Sequence, residues 1–106
     1  MSLDDLRREI DALDERIVEL LNERASCALR IGEIKQQLGL EIYQPDREAQ
    51  VLSHVRDRGT AMGGPLGNEA LTRLFERIID EARRLERESA TAHGGVSGEG
   101  PGSGQS

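Results

Sequence analysis

An all-α fold of three helices, the first very long, follows from three features of this chain. Apolar residues recur at helical spacing, Gly and Pro interrupt the sequence at few places, and aromatic residues are nearly absent. Charged residues make up 32% and aromatics 2% of 106 residues. Such a composition suits helices packing on Leu, Ile, Val and Ala and argues against a β-sandwich. The length allows one domain with a modest core.

The first helix is expected to begin at Ser2, a good N-cap, with Asp4 and Asp5 favourable in its first turn. At 100° per residue, Leu3, Leu6, Ile10, Leu13, Ile17, Leu20, Leu21, Ala28, Ile31 and Leu38 fall on one face. The pattern meets no Gly or Pro before Gly32, and Gly39 is suited to end it. That makes about 36 residues and roughly 54 Å of helix. Gly32, inside it, costs about 1 kcal/mol against Ala and marks a close backbone approach.

Leu40 to Gln44 read as a connector, and Pro45 followed by Asp46, Arg47 and Glu48 as a helix start. This second helix is expected to end near Arg58 and Gly59. A flexible loop follows from Thr60 to Gly67. Asn68 then caps a third helix with an inner face of Leu71, Leu74, Phe75, Ile78, Ile79, Ala82 and Leu85. Residues 1–89 form the helical domain. Residues 90–106, rich in Gly and Ser, read as a disordered tail.

A first helix this long cannot bury its stripe against two shorter ones. A second copy is the simplest partner, so an intertwined homodimer is expected. A plain coiled coil would explain the length but not the charges within the stripe. Arg24 and Lys35 stand near the centre of that face, where Leu or Ile would be ordinary. A cation facing a packed interior needs an anionic partner, from the protein or from a ligand. Arg24 and Lys35 lie about 17 Å apart along the helix, so two long side chains can converge on one small molecule. Arg7, at the edge of the stripe, is about 26 Å from Arg24. It can join the same pocket only from an antiparallel partner helix. Arg47, Glu48 and Glu86 are further polar residues expected to face inward.

Other function classes lack support. Net charge is −6, which disfavours nucleic acid despite 14 basic residues. One Cys and two His make a zinc or haem site improbable, and no metal or cofactor is expected. No nucleophile–base pair is evident, and Cys27 reads as structural filler. The start of the chain has no signal-like apolar run and no segment long enough to span a membrane, so a cytoplasmic protein is expected. Positive charge in an enclosed setting suits binding a di-anion and stabilising charge that develops during reaction.

The segments LRREIDALDERIVELLNERASCALRIGEIK, YQPDREAQVL and LTRLFERIIDEARRLE resemble the AroQ-class, all-helical chorismate mutases over roughly residues 3–88. The family folds as intertwined three-helix dimers and converts chorismate to prephenate without metal or cofactor. The resemblance implies that Arg24, with Arg7 from the other chain, binds the substrate carboxylates. It implies that Lys35 donates to the ether oxygen, and that Glu48 accepts from the ring hydroxyl with help from the backbone at Gln44. Arg47 would add positive field, and Ile31, Val51 and Ile79 would wall the pocket.

Gln44 stands where many members have Asp, Ala82 where some have Ser, and Glu86 where many have Gln. Glu86 would face the ether oxygen, where only a protonated carboxyl can donate. Arg83 replaces a usually apolar residue. Isochorismate–pyruvate lyase on the same scaffold and a non-catalytic helical dimer are the alternatives. The dimer-module alternative would be favoured by internal carboxylates neutralising Arg24 and Lys35. A further shikimate-pathway enzyme is a conceivable partner of the dimer.

Overall fold

Capping chemistry decides where the helices start and stop. The computed structural model describes the backbone of residues 1–99 and the side chains of residues 1–92. It comprises α1 (Leu3–Leu38), α2 (Pro45–Met62) and α3 (Asn68–Glu99), with no strand among the described residues. At the start of α1, Ser2 Oγ accepts from the Asp5 N–H at 3.1 Å, and the Asp5 carboxylate accepts from the Ser2 N–H at 3.2 Å. That backbone hydrogen bond is the main reason the Asp5 carboxyl is held below its ordinary value. At the other end Gly39 adopts φ 70°. The N–H groups of Gly39 and Leu40 donate to Gln36 O and Lys35 O at 3.2 and 2.8 Å, a Schellman closure.

Pro45 opens α2 as expected, with Asp46 and Glu48 in its first turn. The helix does not end near Gly59. It continues to Met62 and stops at Gly63, which takes φ 64°. Gly59 instead serves packing: a Cβ there would overlap Leu71 Cδ1 of α3. Asn68 also differs from expectation. Its side chain donates to Thr60 Oγ1 at 3.2 Å, tying α3 back to α2 across the loop.

The backbone of α3 stays helical to Glu99, beyond Ala90, where a tail was expected. No Gly or Pro occurs between Asn68 and Gly94, so nothing local stops the helix at 89. The last part of the expected tail, residues 100–106, lies outside the described residues.

Helices α1 and α2 both pack on α3 and not on each other. The hydrophobic core of the chain by itself is small: among the described residues only Ala28 and Ile79 are buried apolar residues. Leu74, expected inside, is 53% exposed. No residue from Met1 to Glu23 is buried. Along that half of α1 the stripe residues Leu3, Leu6, Ile10, Leu13, Ile17, Leu20 and Leu21 are 41–63% exposed. Covering them would contribute on the order of 1 kcal/mol apiece. Among the described residues no helix is long and apolar enough to cross a membrane.

Candidate active site

Helical spacing brings one stripe from each element to a common cavity of about 310 Å³. From α1 come Arg24, Cys27, Ala28, Ile31 and Lys35, all on one helical face. The connector supplies Ile42 and Gln44, and the first turns of α2 supply Arg47, Glu48 and Val51. Ile79, Ala82, Arg83 and Glu86 complete it from α3 with the same periodicity. Every site residue expected from sequence is therefore here except Arg7, which is exposed on the far half of α1.

Lys35 and Glu86 form the innermost polar contact. Lys35 Nζ donates to Glu86 Oε1 at 3.0 Å and to the Ile42 carbonyl at 2.9 Å. The two side chains are only 15% and 9% exposed. Gly32 permits this arrangement, because a Cβ at that position would sit 3.1 Å from Glu86 Cγ. The close approach expected at Gly32 is thus the packing of Glu86 against α1. An ammonium has three donors, so Lys35 keeps one for a ligand.

Glu48 is clamped by Arg83. Nη2 of Arg83 donates to Oε1 at 2.7 Å and Nε to Oε2 at 3.1 Å, a bidentate pair joining α3 to α2. These hydrogen bonds are the main reason the Arg83 guanidinium is raised above its ordinary value. The guanidinium also lies 4.9 Å over the Tyr43 ring. Sequence reasoning left Glu48 free to meet a ligand and did not foresee this clamp. The available signal was spacing: Arg83 precedes Glu86 by three residues, which puts both on one face of α3. Cys27, read as structural filler, also lines the cavity: it follows Arg24 by three and precedes Ile31 by four.

Arg24 and Arg47 make no ion pair among the described residues. Four cations and two carboxylates line the cavity, giving it a net charge of +2. A second cavity, of about 470 Å³ between α2 and α3, shares Arg24, Arg47 and Val51 with the first. The two unpaired guanidinium groups therefore stand between the two spaces. Among the described residues no group of three or more His, Cys, Asp or Glu is placed to hold a metal ion. The arrangement is fitted to hold an anion and to set a donor against an atom that becomes negative.

Residues 6–87 match the family model described as chorismate mutase type II. The chain belongs to the chorismate mutase type II family. It is 42% identical over 92 residues to a bifunctional chorismate mutase/prephenate dehydratase of Aquifex aeolicus, covering 86% of this chain and 25% of that protein. It thus spans about a quarter of the length of that relative. It is 41% identical to the chorismate mutase of Methanocaldococcus jannaschii over 81% of this chain and 85% of the relative. A 4-amino-4-deoxychorismate mutase of Streptomyces pristinaespiralis is 36% identical over 81% of this chain and 65% of that protein. Among solved structures, a chorismate mutase from Thermus thermophilus superposes with a TM-score of 0.76 at 32% identity. That match covers 80% of this chain and 93% of the other.

Proposed function

We propose that this chain rearranges chorismate to prephenate, by holding a compact conformer and stabilising the charge that develops as the ether C–O bond breaks. The observation that supports this most is the cavity of net charge +2, set against a substrate with two carboxylates. Arg24 and Arg47, the cavity cations with no ion pair among the described residues, are available to those carboxylates from this chain. Lys35 is held by Glu86 and Ile42 with one donor remaining, which suits a contact that strengthens only as the ether oxygen becomes negative. Ile31, Val51 and Ile79 would enforce the folded conformer, and Gln44 and Ala82 complete the wall.

Glu86 has two candidate duties. As a carboxylate it orients Lys35, and as a protonated acid it can itself donate to the ether oxygen. Glu48 would accept from the ring hydroxyl through the lone pairs that Arg83 leaves open.

The working unit in this proposal is a homodimer in which Arg7 of each chain enters the partner's site. The bare apolar stripe on α1 supports it, as does the open space beside Arg24 and Arg47. The chemistry and the lack of a membrane-spanning helix among the described residues fit a cytoplasmic location.

Incubating the purified protein with chorismate, and separately with isochorismate, tests the reading. Prephenate from the first and no pyruvate from the second is the expected result. Pyruvate release from isochorismate as the dominant reaction would replace the mutase with the lyase, and inertness toward both would leave a non-catalytic dimer.

A further inference from the structure

Binding of a di-anion does not explain why Arg83 grips Glu48. One fewer cation and one fewer carboxylate would leave the same net charge. The pair is well built, with contacts of 2.7 and 3.1 Å from α3 to the first turn of α2. Asp80 Oδ1 lies 3.5 Å from the same Nη2, and the Tyr43 ring lies under the guanidinium. Glu48 faces the cavity with both oxygens already engaged. A carboxylate offers about four acceptor positions, so each oxygen retains one.

A neutral hydroxyl can donate into that remaining position. An ammonium at the same place meets a different field. Without Arg83 it would find a lone carboxylate and be welcomed. With Arg83 it finds a neutralised carboxylate, the guanidinium itself, and three further cations, Arg24, Lys35 and Arg47, around the same cavity. Glu86 does not offset these charges, since its own charge is already matched by Lys35, whose Nζ lies 3.0 Å from Oε1. Rejection by an adjacent like charge is a standard route to specificity.

We propose that Arg83, by clamping Glu48, is a specificity-determining residue that admits a ring hydroxyl and rejects an amino group at the same ring position. This rests on the mutase reading and on Glu48 meeting the ring hydroxyl. It separates chorismate from 4-amino-4-deoxychorismate, which differs by that one group. Arg83 acts through Glu48, and is a positioning residue rather than a catalytic one.

The test compares kcat/KM for the two compounds in the wild type, Arg83→Met and Arg83→Lys. The wild type should prefer chorismate, and Arg83→Met should shrink that preference on the order of 10- to 100-fold. Arg83→Lys keeps the charge, should preserve most of the preference, and separates charge from general damage to the α2–α3 contact. The wild-type preference should also narrow as alkaline pH removes the proton from the substrate amine, a change that poorer packing cannot reproduce. Chorismate turnover with an unchanged preference in Arg83→Met would overturn the inference alone. Failure of the wild type to turn over either compound would overturn the mutase reading and this inference together.

Discussion

The two ends of the cavity treat their cations in opposite ways. At one end Lys35 and Arg83 are each satisfied by a carboxylate, Glu86 and Glu48, across a helix–helix contact. At the other end Arg24 and Arg47 have no ion pair among the described residues and border a second open space. A paired cation is fixed in place and offers what donors it has left. An unpaired one keeps all its donors for an incoming anion, and here Arg24 is half-buried and Arg47 exposed. The comparison fits the proposed division of labour, in which Arg24 and Arg47 would bind, while Lys35 and Arg83, with their carboxylates, would orient.

Removing Lys35 should break the oriented end most severely. Lys35→Ala is expected to lower kcat by about 10²–10³, the usual cost of losing a preorganised donor to a developing negative charge. Arg24→Ala should raise KM as well, because a ground-state carboxylate loses its partner. Steady-state kinetics with thermal melts on both variants would show the contrast. Equal KM values in the two would erase the distinction between the ends. The melts matter because Lys35→Ala leaves the buried Glu86 without its cation.

Glu86→Gln sharpens the comparison from the other side. Glutamine keeps an acceptor for Lys35 and supplies a donor at every pH. At neutral pH the variant should keep or exceed the wild type's kcat/KM, since its amide N–H can donate to the ether oxygen while its oxygen holds Lys35. A fall in kcat with KM unchanged would confine Glu86 to orienting Lys35 as a carboxylate.

A smaller effect is expected at Gly32. In Gly32→Ala the added methyl would stand 3.1 Å from Glu86 Cγ and push the Lys35–Glu86 pair off position. A drop in kcat of a few-fold should accompany a KM near the wild-type value. A shift in KM alone would place the disturbance at the binding end instead.

The smallest effect lies far from the cavity. Asp5 is held below its ordinary value chiefly by the Ser2 backbone N–H. A carboxyl whose folded value lies below its unfolded one contributes stability at neutral pH that is lost as pH falls through the folded value. Acidification should therefore fray the start of α1, and Asp5→Asn should weaken that dependence. Helicity measured by circular dichroism against pH would detect it. No dependence on residue 5 would mean the capping box contributes nothing measurable.

How far the sequence could be read depended on whether the cause was local. Ser2, Gly39 and Pro45 mark helix ends through backbone chemistry within four residues, and those ends were legible. Arg24, Lys35 and Glu86 were legible as inward-facing because a 3.6-residue period puts them beside Ile31 and Ile79. The end of α2 was not, because Gly59 answers to Leu71 across a helix contact rather than to its neighbours. Nor was the cap at Asn68, whose side chain found Thr60 instead. The Arg83–Glu48 clamp joins residues 35 apart in sequence, and no local rule predicts which carboxylate a cation will choose. Arg7 is the reverse case: helix length and the family resemblance point to a role in the site, and it stays outside the cavity of the single chain.

The division of labour has its most direct test in whether the binding end is completed by a second chain. Arg7→Ala and Arg24→Ala proteins, each expected to be strongly impaired alone at sub-saturating chorismate, would be mixed under conditions that permit subunit exchange, and chorismate turnover followed. In each mixed dimer one site would hold both native arginines and the other neither. Random exchange should therefore restore activity to about a quarter of the wild-type sites. A mixture no faster than its parents, after exchange has been verified by mass, would contradict the shared site.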